Sequence, residues 1–354
     1  MPRKSKKAAK KSRFVKLNTR DWDRRRLKSL LADIAGKRIL VIGDVGVDRY
    51  TIGSVERISP EAPVPIVLVQ QEVFKLGLAA NVADNVKALG GVPLLTGVVG
   101  GDRTAEDFCK LLEQTGIASS HLVVDRNRRT VLKERIVSDR QQLLRVDYET
   151  LMDIDSAVEA KLLAKVKTLL AKCDAVILED YAKGTLKGGL AEGVFAAAGK
   201  HKKIVAVDPN SKSELALYRG ATVLTPNTKE AEALSGISIR DEISLMKAGQ
   251  HILTETRADH VVITRGGEGM AIFTAGDSSC HLIPTYAQEV YDVSGAGDTV
   301  ISVFTLAMSA GATASEAAVL GNLAAGVEVG KRGTATVSVE EILAAMEFHG
   351  SGGG

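Results

Sequence analysis

Short apolar runs at residues 38–43, 175–178, 204–207, 222–224 and 261–264 constrain this chain more than any other feature. Each is too short for a helix, ends in glycine or polar residues, and is followed by a longer segment of mixed character. Such runs read as strands buried on both faces. Their alternation with helices, including those expected at 79–89, 105–115, 156–171 and 244–256, predicts an α/β fold with a mostly parallel sheet flanked by helices. The runs deliver Gly43-Asp44, Glu179-Asp180, Asp208-Pro209-Asn210, Thr225-Pro226-Asn227 and Arg265-Gly266 to one edge. Ligands of open parallel sheets bind at that C-terminal edge, so a site should be built along it.

A second, smaller sheet is expected elsewhere. Pro60, Pro63 and Pro65 forbid a helix and favour an extended connector over 57–65. Residues 66–69, 130–137 and 143–148 mix β-branched and charged residues as half-exposed strands do. They predict a β lid over the site, formed from about 49–77 and 128–148. One small sheet cannot bury its apolar faces alone, so the lid is expected to join two copies in a homodimer.

With 354 residues, 45% of them hydrophobic, the chain suits one large domain with a small appendage. The domain is placed at 36–349, after a basic extension at 1–35 and before a glycine-rich end at 350–354. Residues 1–28 carry a net charge of +11 and the remainder −8. The first thirteen residues lack the apolar content to pack, which predicts disorder. They read as a solubilising arm, with nucleic acid or anionic lipid the alternative contact. Residues 21–35 read as an amphipathic helix through Trp22, Leu27, Leu30 and Leu31. No apolar run approaches a membrane span, and the N-terminus lacks the apolar core of a secretion signal. Cys109, Cys173 and Cys280 are widely separated and fit reduced thiols in a cytoplasmic protein.

The stretch Asp292-Val-Ser-Gly-Ala-Gly-Asp-Thr299 carries the chemistry. Asp292 follows an apolar, strand-like run, and 300–310 reads as a buried helix. Gly295, Ala296 and Gly297 therefore stand where a loop enters a helix, with unpaired N–H groups that bind phosphate or an oxyanion. Asp298, in the same turn, is either a helix cap or a base that takes a proton from an attacking hydroxyl. Asn227 and Glu230 allow a comparable pair of readings, as a capping box or as an element that orients a metal.

The 292–299 string resembles the signature of the ribokinase-like carbohydrate kinases. The likeness extends over about 36–345, through Gly43-Asp-Val-Gly-Val-Asp-Arg-Tyr50, the 57–65 string, Ala79-Ala-Asn-Val-Ala83 and Asp180-Tyr-Ala-Lys-Gly184. The 57–65 and 180–184 strings are similar to those of kinases acting on D-glycero-β-D-manno-heptose 7-phosphate at O1, in ADP-heptose and lipopolysaccharide synthesis. No adenylyltransferase HxGH segment occurs, so the likeness implies a single-activity form. It further implies ATP and Mg²⁺ as cofactors, Asp298 as base, and Gly295, Ala296 and Gly297 as the anion hole. Asn227 and Glu230 would orient Mg²⁺ through water. Thr264, Arg265, Gly266 and Gly269 would lie beneath the nucleotide, and Asp292 would help hold a monovalent cation, K⁺.

By the same likeness Asp44, Asp48 and Asn81 would bind sugar hydroxyls. The distal phosphate needs cations, and Arg57, Lys133, Arg135, Arg145 and Lys183 are the candidates. Two departures stand out: Leu78 where the family usually has glycine, and Glu179 where a small residue is common. A kinase for another sugar is the alternative. A non-catalytic sensor is a third reading, against which Asp298 and Glu230 speak.

Overall fold

The computed structural model describes residues 14–17, 22–138, 141–287, 290–331 and 335–351. The expected disordered tail at 1–13 and the last residues of the glycine-rich end, 352–354, lie outside them. Among the described residues the strands, in chain order, are β1 (Phe14–Lys16), β2 (Arg38–Gly43), β3 (Val45–Ile58), β4 (Pro65–Leu78), β5 (Val92–Thr96), β6 (Val98–Val99), β7 (Val123–Val124), β8 (Val131–Ser138), β9 (Gln141–Tyr148), β10 (Ala175–Glu179), β11 (Ile204–Asp208), β12 (Val223–Leu224), β13 (His260–Thr264), β14 (Met270–Thr274) and β15 (Cys280–Ile283). The helices are α1 (Arg24–Asp33), α2 (Ala79–Ala88), α3 (Arg103–Gln114), α4 (Ser156–Leu170), α5 (Gly188–Lys200), α6 (Thr228–Ser235), α7 (Glu242–Thr256), α8 (Ala296–Ser309), α9 (Ala314–Glu328) and α10 (Val339–Ser351).

The main sheet has the order β1-β15-β14-β13-β12-β11-β10-β2-β5. Every pair from β5 to β13 is parallel, as the alternating runs predict. In β2, Ile39 and Val41 join the core formed with α1, α2, α8, α9 and α10, while Leu40 and Ile42 join the core formed with α4, α5 and α7. Successive side chains point to opposite faces, so a strand covered twice must be apolar at every position. Each such side chain contributes roughly 2 kcal/mol of burial.

Three features differ from the sequence reading. First, β14 and β15 extend the sheet as an antiparallel hairpin, and β1 pairs in parallel outside β15. Second, α1 is shorter than the expected 21–35 helix. Asp23 caps it by accepting from the Arg25 and Arg26 N–H groups, and Leu27, Leu30 and Leu31 are buried. Third, the apolar run before Asp292 is not a strand: β15 ends at Ile283, and the described residues between there and Gly295 form a loop. The Tyr291 and Asp292 N–H groups both donate to one carbonyl, that of Val329, at 2.8 and 3.3 Å.

The small sheet exists, in the order β4-β3-β8-β9. β3 and β4 form a long hairpin, so the extended connector is confined to 59–64. Residues in register share a face. Asp48 is in register with Lys75 and Lys133, Tyr50 with Arg135, Lys133 with Asp147, and Arg135 with Arg145. That face is charged. The opposite face holds the Arg49–Glu134 ion pair, Ile136, Phe74 and Leu144, the last two exposed.

Candidate active site

Gly295 starts α8 with φ 98°, a left-handed conformation that disfavours any side chain. The leading N–H groups of α8 have no intrahelical partner and face the strand ends. A Cβ built on Gly297 would lie 3.7 Å from Asp208 Oδ2, which places the Asp208 carboxylate beside this helix start. Asp298 occupies the first turn. Its Oδ2 accepts from Asn81 Nδ2 at 2.6 Å and its Oδ1 from the Tyr181 hydroxyl at 3.0 Å. Burial pushes the Asp298 carboxyl up to about 6, against the opposing pull of these two hydrogen bonds. A carboxylate that is charged at neutral pH yet close to its titration point is suited to accept a proton.

The loop that presents Tyr181 is held from below by Asp44. The Tyr181 and Lys183 N–H groups donate to Asp44 Oδ2 at 3.2 and 3.0 Å, and the Thr185 N–H to Oδ1 at 3.1 Å. Asp44, expected at sugar hydroxyls, thus accepts backbone N–H groups of this loop through both oxygens. Asp180 faces away, accepting from Tyr218 and Ser213 hydroxyls at 2.6 and 2.5 Å. Ala182 and Gly184 have positive φ, 53° and 90°, which turns the loop tightly. Asn81, also expected at a sugar hydroxyl, donates from its amide to Asp298. Leu78, just before α2, has φ 59° and ψ −138°, a glycine-type conformation. Its N-terminal neighbours on β4 feed straight into this strained turn, where the Ala79 N–H donates to the Asp44 carbonyl at 3.0 Å.

The acids at the strand ends gather on the same side. Oxygens of Glu179, Asp208 and Asp298 lie within 4.8 Å of one another. Glu230 is near enough to raise both Glu179 and Asp208, whose carboxyls burial and mutual repulsion hold well above the usual range. Tyr181 and Asp208 were given no role in sequence, and Glu179 stood out there only as a departure from the family, although each stands at or just after a strand end, where such residues belong. Asn227 and Glu230 form the reciprocal capping box of α6: Glu230 N–H to Asn227 Oδ1 at 3.0 Å, Asn227 N–H to Glu230 Oε2 at 2.8 Å.

A cavity of about 230 Å³ opens beside the start of α8. Thr264, Gly266 and Gly269 line it together with Ala296, Gly297, Val300 and Asn322. Arg265 turns aside to pair with Glu268. Gly269 has φ 81°, and a Cβ there would lie 1.9 Å from the Ile283 carbonyl. The lining is mostly apolar and small, and it leads to the first turn of α8, where the Ala296 N–H donates to the Val293 carbonyl at 3.4 Å. Asp292 Oδ1 accepts from the Ser294 N–H at 2.9 Å and shapes the loop before Gly295.

Of the phosphate candidates, Lys133 stands closest to the chemistry. Its Nζ lies 5.7 Å from the Tyr181 ring centroid, within cation–π range, and it acts on the Asp298 charge. Arg135 donates to Asp48 Oδ1 at 2.8 Å and lies over the Tyr50 ring at 5.3 Å. Asp48 is therefore paired with a lid cation. Lys183 pairs with Glu149 at 2.7 Å, and Arg145 with Asp147 at 2.9 Å. Arg57 does not join them. It is exposed and in register with Ile66, nine residues beyond Asp48 on β3, or roughly 30 Å at the rise of an extended chain.

A carboxylate in the first turn of a glycine-started helix, at the strand-end edge of a lidded parallel sheet, defines a sugar kinase of the ribokinase-like fold. The chain belongs to the pfkB family of carbohydrate kinases, whose model matches residues 37–342. It is 44% identical over 331 residues to the bifunctional protein HldE of Geobacter sulfurreducens, covering 93% of this chain and 67% of that protein. It is likewise 44% identical over 306 residues to HldE of Helicobacter hepaticus, covering 86% and 63%. The chain thus spans about two thirds of the length of these relatives. Among solved structures it resembles phosphofructokinase-2 from Escherichia coli in complex with potassium, with TM-score 0.72, 20% identity, and coverage of 89% and 99%. It also resembles the ribokinase of Arabidopsis thaliana complexed with ribose and ATP, with TM-score 0.68, 18% identity, and the same coverage.

Proposed function

We propose that this kinase transfers the γ-phosphoryl of ATP to O1 of D-glycero-β-D-manno-heptose 7-phosphate, giving the 1,7-bisphosphate for ADP-heptose and lipopolysaccharide core synthesis. The observation that carries the reading is the charged lid face. Lys75, Lys133, Arg135 and Arg145 stand there against Asp48 and Asp147, with Lys133 directly over Tyr181. A pocket for a neutral sugar has no use for an excess of cations, since a partly buried cation without a counter-ion is costly. Resemblance to heptose 7-phosphate kinases and 44% identity to HldE proteins support the same choice.

In this reading Asp298 accepts the O1 proton, and Asn81 and Tyr181 hold its carboxylate in place. The first N–H groups of α8 receive the transferring phosphoryl, where positioning and charge neutralisation dominate the chemistry. The base and ribose occupy the cavity lined by Thr264, Gly266 and Gly269. The donor set at the strand ends, all carboxylate and amide oxygen, fits Mg²⁺, which Asn227 and Glu230 would orient and Asp208 would face; bound there it would neutralise phosphate charge. Asp292 would serve a monovalent cation behind the anion hole.

No helix among the described residues is long and apolar enough to cross a membrane. The reading is of a cytoplasmic enzyme, homodimeric through the exposed outer face of the lid, with no nucleic-acid partner for its basic arm. It treats residues 36–349 as the kinase domain and 49–77 with 128–148 as its lid. ADP release measured over a panel of sugars tests the function. Heptose 7-phosphate should be preferred by at least 100-fold in kcat/KM over free heptose. A preference for any unphosphorylated sugar, or for the phosphate of a different sugar, would instead assign another member of the family.

A further inference from the structure

We propose that Arg128 is a positioning residue for the phosphoryl transfer: its guanidinium locks the loop that presents Tyr181 to Asp298 against both ends of the β8–β9 lid hairpin. The inference rests on Asp298 being the base, as proposed above.

Arg128 stands three residues before β8, and Thr150 two residues after β9. Arg128 Nη2 donates to the Lys183 carbonyl at 2.5 Å and to the Thr150 carbonyl at 3.3 Å. One cation therefore ties the entry and the exit of the hairpin to the residue two places after Tyr181. Neighbouring contacts follow the same seam. The Arg129 N–H donates to Thr150 Oγ1 at 3.2 Å, Lys183 Nζ pairs with Glu149 at 2.7 Å, and the Ile154 N–H donates to the Gly184 carbonyl at 3.0 Å. The Thr130 N–H donates to Asp102 Oδ2 at 2.9 Å, which fixes this end of the hairpin to the cap of α3.

The loop needs such a clamp. Ala182 has φ 53°, a conformation that costs an alanine free energy and persists only where the surroundings over-determine it. Asp44 and Asp180 hold the N–H side of the turn, Asp180 Oδ1 accepting from the Ala182 N–H at 2.8 Å. Arg128 holds its carbonyl side, and a charged donor makes the stronger bond there. Nη1 of Arg128 is buried with no partner among the described residues. An amine left so costs stability, which makes Arg128 a poor choice for rigidity alone. Its contacts end instead on the loop whose Tyr181 hydroxyl lies 3.0 Å from Asp298 Oδ1. Relaxation of the strained turn would carry that hydroxyl off the base, and small misplacements at a reacting centre are costly.

Two measurements on the full chain test this. The first uses no substrate: amide hydrogen exchange over 180–187 should speed by 10-fold or more in Arg128→Gln, with β2 unchanged. Arg126, exposed two residues earlier, supplies the charge control. Arg126→Gln should exchange and turn over as wild type does. The second is kcat at saturating ATP and whichever sugar wild type phosphorylates fastest. Arg128→Gln should lower kcat by about 10-fold in the wild-type background but by less than 2-fold in Tyr181→Phe, because residues acting through one contact are not additive. KM for ATP should stay within 2-fold. Should Arg128→Gln fail to fold, Arg128→Lys takes its place: it keeps the charge but not the planar fork, and should lower kcat by 3-fold or more with the same dependence on Tyr181. Unchanged exchange, equal losses in the two backgrounds, or the same loss in Arg126→Gln would each overturn the role. A sugar other than heptose 7-phosphate would refute only the substrate assigned above. Full activity of Asp298→Asn would refute the base, whereas equal losses in the two backgrounds with Asp298→Asn inactive would refute only Arg128.

Discussion

The Tyr181 hydroxyl donates to Asp298 Oδ1 at 3.0 Å, across 117 residues of sequence. This bond stabilises the charged carboxylate, while burial disfavours it and leaves its titration point at about 6. The base works only when ionised, so kcat/KM should rise with pH through an acid limb near 6 and then level. Tyr181→Phe removes a donor to the charged form, so its limb should move to higher pH. A limb near 4 in wild type, or no movement in Tyr181→Phe, would contradict the assignment.

Asp298→Asn should lower kcat by about 10²–10⁴ with ATP still bound, the usual worth of a general base. Its stability should move the other way. A carboxyl whose folded titration point exceeds its unfolded one penalises folding once ionised, so this penalty is absent at low pH and complete above about 6. The variant should therefore melt no lower than wild type at pH 8. Loss of activity together with a large loss of stability would indicate a structural role.

Lys133→Ala and Arg135→Ala should each raise KM for heptose 7-phosphate by roughly 10-fold or more, as loss of a charged hydrogen bond predicts. KM for ATP should be unmoved. Lys183→Ala should act in the same direction, since Lys183 is paired with Glu149 as Arg135 is with Asp48, and each keeps further donors for a phosphate. Equal, small effects from all three would remove the phosphate pocket.

Gly269→Ala should destabilise the protein by about 3 kcal/mol or more in urea, because the added methyl meets the Ile283 carbonyl and the backbone angle is strained. Gly267→Ala, two residues away, has open space at the same position and should be nearly silent. Comparable midpoints for the two variants would contradict the turn geometry.

Light scattering at micromolar concentration should give twice the chain mass. Phe74 and Leu144 are 43% and 54% exposed on the outer lid face, and replacing both with Asp should yield a monomer. A wild-type monomer would leave the outer lid face unexplained.

The central sheet was legible in the sequence because its cause is local. A strand buried on both faces must be apolar along its covered length, and 39–43, 175–178 and 204–207 are so whatever surrounds them. Gly295 was legible for a similar reason, since only a glycine-type backbone turns there into α8. The lid was legible from its prolines and alternation. The β14–β15 hairpin and the β1 edge were not, because short strands declare themselves only when a neighbour supplies the partner groups. Roles of charged residues were the least legible. A sequence states that Asp44, Asp48 and Lys183 are charged, but not what satisfies them. Folding gave Asp44 the N–H groups of 181, 183 and 185, gave Asp48 to Arg135, and gave Lys183 to Glu149. Each partner is remote in the chain, and the electrostatic energy depends steeply on distances that only the tertiary structure sets. Glu179 shows the same division: its residue type was in view from the start, but its burial without a partner, beside Asp208 and Asp298, exists only once three strand ends and the start of α8 converge.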